Sequence, residues 1–222
     1  MVQKAKKPAM NRLGLRLIGI LALGMVLIIP KAVSAQDDNA GFGLHLSWTQ
    51  YTEISGNRND VKVSQQIAQI AYRDPQAFRL SFGLGLEEID DLPEYGGEID
   101  DALCFQATGA FYLAPNLEFG IPADLSLTAE YSRARHDAGD DKLTHQRIIA
   151  TATMEWDFPP ATPYIRVGAL YASLDSPDKD EDNTSALFIG GVRFSLAQRL
   201  SLGAEFNISQ DIGFGALLGY SF

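Results

Sequence analysis

The chain has 222 residues, with 18 lysines and arginines against 28 aspartates and glutamates, a formal net charge of −10. Residues 1–35 contain six of the 18 basic residues and none of the 28 acidic ones, so the remainder carries 12 against 28, or −16. A chain this acidic repels phosphate, which argues against nucleic acid as a partner. The single cysteine, Cys104, excludes an internal disulfide and is interpreted as a small apolar filler.

The first predicted elements are those of a secretory signal. Five positive charges lie in the first sixteen residues, an apolar run follows from Leu17 to Ile29, and small residues precede Gln36. Basic, apolar and small-residue regions in this order are typical of a signal peptide. We therefore predict a signal peptide over residues 1–35 and a mature protein over residues 36–222. A retained membrane anchor is the alternative.

Most of the mature segment alternates apolar and polar residues with a period of two. In Phe78–Glu87 every even position is large and apolar, and every odd position is polar or glycine. Successive side chains of a strand point to opposite faces, whereas a helix would not sort residues in this way. Ten strands are predicted, at about 41–54, 62–73, 77–87, 101–113, 123–135, 145–156, 163–174, 185–196, 200–209 and 212–222.

The connections between these strands alternate in length. Short turns such as Ala197–Arg199 are followed by longer, strongly polar segments such as Glu88–Asp100, an arrangement typical of outer-membrane barrels. A soluble β-sandwich would also alternate, but lysine is nearly absent from the predicted strands. The predicted fold class is therefore an all-β, antiparallel, up-and-down transmembrane β-barrel of about ten strands. Eight strands is the alternative, because Gln210–Asp211 is a tight turn where a long loop is expected.

The C-terminal segment carries a second pattern. Phe214, Ala216, Leu218, Tyr220 and Phe222 alternate up to a terminal aromatic residue. This strand is similar to the C-terminal signal strand of outer-membrane proteins. The mature chain as a whole resembles the small single-chain barrels of the OmpA, OmpX and opacity-protein kind.

That resemblance covers nearly all of residues 36–222 and rests on pattern, so it implies architecture and location rather than an activity. It implies residence in the outer membrane, contact with its lipid and lipopolysaccharide, and recognition by the barrel assembly machinery. The residues expected to form the assembly signal are Phe214, Leu218, Tyr220 and Phe222.

Alternation also predicts which charged side chains point into the barrel. The expected lumen charge network consists of Arg79, Arg147, Arg166, Arg193, Glu130, Glu155 and Glu205. By the same alternation, Glu53, Glu87 and Arg73 are also expected to point into the barrel. Paired buried charge is tolerable whereas unpaired charge is costly, so we expect the network to close the lumen. Arg166 and Arg193 are equidistant from the centre of Asp175–Thr184, and we expect them to face one another.

The three histidines give weak signals. His45 and Ser47 share one face of the first strand, and with a lumen glutamate they would suggest a His/Ser/Glu hydrolase. No neighbouring motif supports this, and a hydrogen-bonded lumen histidine is the favoured interpretation. His136 and His145 flank a predicted outer loop and are expected to be solvated.

The predicted outer loops carry the excess of acid. Their acidic residues are Asp90, Asp91, Glu94, Glu98, Asp100, Asp101, Asp137, Asp140, Asp141, Asp175, Asp178, Asp180, Glu181 and Asp182. Asp178, Asp180 and Asp182 begin like a calcium loop, but Asn183 and Ile189 replace the glycine and the closing glutamate, which excludes an EF-hand. Loose binding of divalent cations is the alternative to a solvated loop.

The sequence therefore predicts a non-enzymatic outer-membrane barrel with a structural or surface-interaction role. A narrow passive pore is the second hypothesis, and an outer-membrane hydrolase is the third. No catalytic, cofactor-binding or metal-binding residue is predicted.

Overall fold

The computed structural model describes residues 41–55, 60–74, 77–90, 99–118, 121–138, 141–176 and 180–222. The predicted signal peptide over residues 1–35 and its cleavage before Gln36 lie outside these ranges. Five of the acidic residues predicted in outer loops also lie outside these ranges. They are Asp91, Glu94, Glu98, Asp140 and Asp178, the last of which begins the calcium-like motif. No helix of the described residues is long and apolar enough to cross a membrane.

Ten strands account for nearly all of the described residues. They are β1 (Gly41–Ser55), β2 (Asp60–Asp74), β3 (Phe78–Asp90), β4 (Ala102–Glu118), β5 (Pro122–Ala138), β6 (Asp141–Trp156), β7 (Ala161–Asp175), β8 (Asp180–Ala197), β9 (Leu200–Ile208) and β10 (Ile212–Ser221). Each strand pairs antiparallel with the next, and β10 pairs with β1. The predicted all-β up-and-down barrel is confirmed, with ten strands rather than eight.

The alternating sequence sorts side chains between the two faces of this barrel. On β3, Phe82 and Leu84 point outward and are 60% and 48% exposed, while Ser81 and Glu87 point into the lumen and are buried. The C-terminal strand shows the same division, with Phe214 exposed on the outside and Gly213 buried inside. The outer face exposes large apolar side chains, so it is suited to contact with lipid rather than with water.

Several strands extend beyond their predicted ends at one side of the barrel. We call this side, where β1–β2, β3–β4, β5–β6, β7–β8 and β9–β10 are connected, the loop end, and the opposite side the turn end. At the loop end β8 begins at Asp180 rather than near residue 185, and β6 begins at Asp141. Pairing of the backbone does not require apolar side chains, so these polar segments form ladders that alternation does not reveal. The placement of seven acidic residues in outer loops was wrong, since they lie within strands: Asp90, Asp137, Asp141, Asp175, Asp180, Glu181 and Asp182.

The extension of β8 also changes a predicted contact. Arg166 is paired with Ile189, and Arg193 with Thr162, so the expectation that the two arginines face one another is wrong. The pairing of Asp175 with Asp180 shifts the centre of the hairpin two residues toward the N-terminus relative to the predicted loop. Each strand partner is therefore displaced by four residues.

Apolar side chains fill much of the lumen, in three clusters. The first lies at the loop end and consists of Val61, Val63, Ile89, Leu143, Ala172 and Leu174, with Ile99 packed against it. The second consists of Ile149, Tyr164, Leu170, Leu187 and Ile189, with Leu217 packed against it. The third consists of Ile67, Ala102, Cys104 and Ala134, and the buried Cys104 matches its interpretation as an apolar filler. The interior is therefore a packed core with polar groups embedded in it.

Candidate functional site

The lumen is crossed from wall to wall by a cation–π contact. The Arg147 guanidinium on β6 lies 4.3 Å from the centre of the Tyr51 ring on β1. In the closed order of ten strands, β1 and β6 are five strands apart in either direction, so they stand on opposite walls. Arg147 is only 1% exposed and Tyr51 is also buried. The two side chains therefore bridge the full diameter of the barrel.

Two hydrogen bonds fix the Arg147 guanidinium in this position. Its Nη2 donates to Glu130 Oε1 at 2.8 Å and to Gln65 Oε1 at 2.7 Å. Glu130 lies on the neighbouring strand β5, whereas Gln65 lies on β2 across the lumen. The Gln65 amide nitrogen in turn donates to Glu87 Oε2, so one glutamine connects the arginine to a second carboxylate.

Glu87 is enclosed by two histidine rings. His136 Nε2 lies 2.9 Å and His145 Nδ1 lies 2.8 Å from the same oxygen, Glu87 Oε1. All three side chains are buried, and they come from β5, β6 and β3. We call the set Tyr51, Gln65, Glu87, Glu130, His136, His145 and Arg147 the loop-end cluster.

His136 lies between two hydrogen-bond acceptors. Its Nδ1 lies 3.0 Å from the backbone oxygen of Asp100, which can only accept, while Nε2 faces the Glu87 carboxylate. An imidazole donates from both nitrogens only when it is doubly protonated. In its doubly protonated form, His136 together with Arg147 places two positive charges opposite the carboxylates of Glu87 and Glu130. Such balance is what allows charge to remain buried.

The turn end contains a different set of polar contacts, which we call the turn-end pairs. Arg193 Nη2 lies 2.7 Å from Glu155 Oε2, and Tyr164 donates to Glu205 Oε2 at 2.8 Å. Arg73 lies 3.8 Å from an oxygen of Asp124. Two of these contacts join strands two places apart and the third joins strands three places apart, so none of them spans the five places of the full diameter.

The residues of the predicted charge network are therefore divided between the two ends. Arg147 pairs with Glu130 at the loop end, and Arg193 pairs with Glu155 at the turn end. Glu205 accepts from a tyrosine. Within the described ranges, Arg79 and Arg166 form no ion pair. His45 and Ser47 share the lumen face as expected, but no hydrogen bond joins them in the described part of the chain.

The expectation that His136 and His145 are solvated was wrong, since both are buried in the loop-end cluster. A signal for this was present in the sequence. His136 has the parity of the inward-facing Glu130 on β5, and His145 has the parity of Arg147 on β6. His136 lies one residue beyond the predicted strand 123–135, and His145 is the first residue of the predicted strand 145–156, so both were placed beside a loop and expected to be solvated. Among the described residues, no three His, Cys, Asp or Glu side chains are arranged to hold a metal ion.

Neither a family model nor a curated protein matches this chain. Its structure is similar to an outer membrane channel from Pseudomonas putida F1, with 9% identity, 87% of this chain and 99% of the other covered, and a TM-score of 0.49. It is similar to the translocator domain of the autotransporter NalP from Neisseria meningitidis, with 9% identity, 94% of each chain covered and a TM-score of 0.49. It is also similar to Ail of Yersinia pestis, with 11% identity, 83% and 98% covered, and a TM-score of 0.39.

Proposed function

We propose that the protein is an integral outer-membrane β-barrel with a closed lumen, which serves a structural or surface-interaction role and not solute passage. The outward-facing apolar side chains support the membrane location. The contact of Arg147 with Tyr51 across the full diameter supports the closed lumen. The loop end would face the exterior, as the longer connections of such barrels do.

Two sets of side chains would block ions at the loop end. One is the first apolar cluster, which includes Leu143 and Val63, and the other is the loop-end cluster, whose His136 is paired directly with Leu143. A pore needs a continuous hydrated path, and a dry apolar constriction prevents conduction. The narrow-pore hypothesis draws support only from the turn end, where the Arg193 and Glu155 side chains are 24% and 20% exposed.

Planar-bilayer recording tests the closed lumen. We expect the refolded wild type to give no steady conductance. A variant with Glu130→Ser, Leu143→Ser and Arg147→Ser makes the first apolar cluster polar at one position and removes both members of the ion pair in the loop-end cluster, and we expect it to conduct. The matched control, Glu155→Ser with Arg193→Ser, also removes one ion pair but leaves the loop end intact, so it should remain silent. Steady conductance by the wild type would favour the pore instead.

The same proposal includes assembly through the last strand. The Phe222 amide donates to the Phe42 oxygen at 2.9 Å at the seam between β10 and β1, and Phe214, Leu218 and Tyr220 are exposed outside. Deleting Phe222 removes one bond at the end of the seam, so refolding in detergent should change little. We expect the amount of folded barrel in cells to fall, as seen by heat-modifiable gel mobility. Equal amounts in cells would contradict the role in assembly.

A further inference from the structure

One side of the outer barrel wall is concave. A groove of about 800 Å³ runs over β4 to β7, and its lining is almost entirely apolar. Phe111 and Leu127 form its turn-end wall, with Leu80 at one side and Val167 at the other. On a lipid-facing surface, a groove of this size is large enough for an acyl chain to lie below the level of the surrounding side chains.

The groove results from a row of small residues aligned across neighbouring strands. Gly109 pairs with Ala129, Ala129 with Ala150, Ala150 with Ala169, and Ala169 with Ala186. The next outward row toward the loop end contains Tyr131, Ile148 and Tyr171, which are directly paired in the same way. Large side chains therefore border the small ones on both sides.

Basic side chains lie on the same wall, nearer the loop end. Arg133 and Arg135 point outward from β5 and are exposed, and Lys142 is exposed on β6. Among the described residues, Arg133 and Arg135 are the two arginines on the outer face at the loop end. Lys142 lies 4.0 Å from Asp137, whereas neither arginine forms an ion pair within the described residues.

The spacing of these arginines from the groove matches one leaflet of a bilayer. Arg135 and Ala129 are six residues apart on one strand, about 20 Å at roughly 3.3 Å per residue, which is about 15 Å along the membrane normal for a strand tilted by about 40°. The hydrocarbon core of a bilayer is about 30 Å thick, so one leaflet is about 15 Å deep. A lipid whose headgroup lies at Arg133 and Arg135 would therefore place the ends of its acyl chains in the groove.

The opposite wall has neither feature. Most outward positions on β8 to β10 and β1 carry large side chains, including Phe206, Phe214 and Trp48. At the loop end of β8 the exposed outward residues are acidic, Asp180 and Asp182. Anionic lipid would be repelled there and attracted on the β5–β6 side.

We propose that this side of the barrel, with Arg133, Arg135 and the groove of small residues, binds a phosphorylated, multiply acylated glycolipid of the lipopolysaccharide class. Guanidinium groups recognise phosphate through paired, charge-assisted hydrogen bonds, and the two arginines supply them. The groove receives one acyl chain. The inference rests on the proposed outer-membrane location and names a lipid partner of that barrel.

Native mass spectrometry of the refolded, detergent-solubilised barrel tests the site, with purified lipopolysaccharide as the probe. We expect Arg133→Ser with Arg135→Ser to weaken binding at least tenfold. Lys62→Ser removes an exposed charge from the loop end of β2 and should leave binding unchanged. Ala150→Leu fills the groove and should also weaken binding, whereas Ala204→Leu, on the outer face of β9, should not.

Lipid chemistry provides a second arm. Wild-type barrel should prefer lipopolysaccharide over its dephosphorylated form and over phosphatidylglycerol. Equal binding of the dephosphorylated form, or equal binding by the wild type and the double arginine variant, would overturn the proposal. Binding of phosphatidylglycerol as tight as that of lipopolysaccharide would also overturn it. A barrel that fails to insert into bilayers would overturn the proposed function, whereas an inserted barrel without lipid preference overturns only this site.

Discussion

The two ends of the lumen use the same residue types in different ways. At the loop end, Arg147 and Glu130 are buried, and they are connected through Gln65 to the Glu87–histidine group. At the turn end the contacts are separate and partly solvated, and Arg73 and Asp124 are 46% and 26% exposed. One end is a continuous network across the barrel, and the other is a set of contacts that do not span its diameter.

The difference shows that the position of an ion pair within a barrel determines its effect. A solvated pair gains little, because water screens the charges and both side chains lose conformational freedom when they pair. A buried pair does not necessarily stabilise a protein, but removing one partner is strongly destabilising. The loop-end cluster should therefore be sensitive to single substitutions, and the turn-end pairs should tolerate them.

The largest expected effect is that of Glu87→Gln. This substitution removes the buried carboxylate that both His136 and His145 contact, so we expect a loss of about 3–5 kcal/mol in the free energy of unfolding. Urea unfolding in detergent measures it. The matched change Glu155→Gln, at the partly exposed pair with Arg193, should cost about 1 kcal/mol or less. Equal losses at both sites would remove the distinction between the two ends.

An intermediate effect is expected for the glutamine that connects the cluster. Gln65→Leu leaves Arg147 and Glu87 each without one hydrogen bond, at a cost of about 1–3 kcal/mol. Gln69 lies on the same strand and, among the described residues, donates to Gln106 alone, at 2.8 Å. Gln69→Leu should therefore cost clearly less in the same urea titration. A larger loss at Gln69 would mean that the connection through Gln65 contributes little.

Alternation in the sequence was sufficient for the fold. Strict alternation in β3, β9 and β10 specified the strands and the face of each side chain, and the inward parity of Arg147 and Glu130 followed from it. Alternation gave no prediction where the inward and outward side chains of a strand are both apolar. Inward Leu170, Leu187 and Ile189 form an apolar cluster that alternation does not predict.

The loop-end cluster could not be assembled from the sequence, because it depends on strand register. A shift of the β7–β8 hairpin centre by two residues was enough to separate Arg166 from Arg193. Contacts across the lumen, such as that of Arg147 with Tyr51, depend further on how many strands lie between their own. Parity restricts a side chain to the lumen, but only the closed barrel brings specific side chains together.

The smallest expected effect compares two lumen tyrosines. Tyr51 contributes its ring face to Arg147, and its hydroxyl forms no hydrogen bond within the described residues, so Tyr51→Phe should change stability by less than about 0.5 kcal/mol. Tyr164 donates its hydroxyl proton to Glu205, so Tyr164→Phe should cost about 1 kcal/mol. Tyr51→Leu, which removes the ring, should cost more than Tyr51→Phe because the cation–π contact is lost. If Tyr51→Phe and Tyr51→Leu gave the same urea midpoint, the contact across the diameter would not contribute to stability. Closure of the loop end would then rest on the first apolar cluster and on the carboxylate and histidine groups.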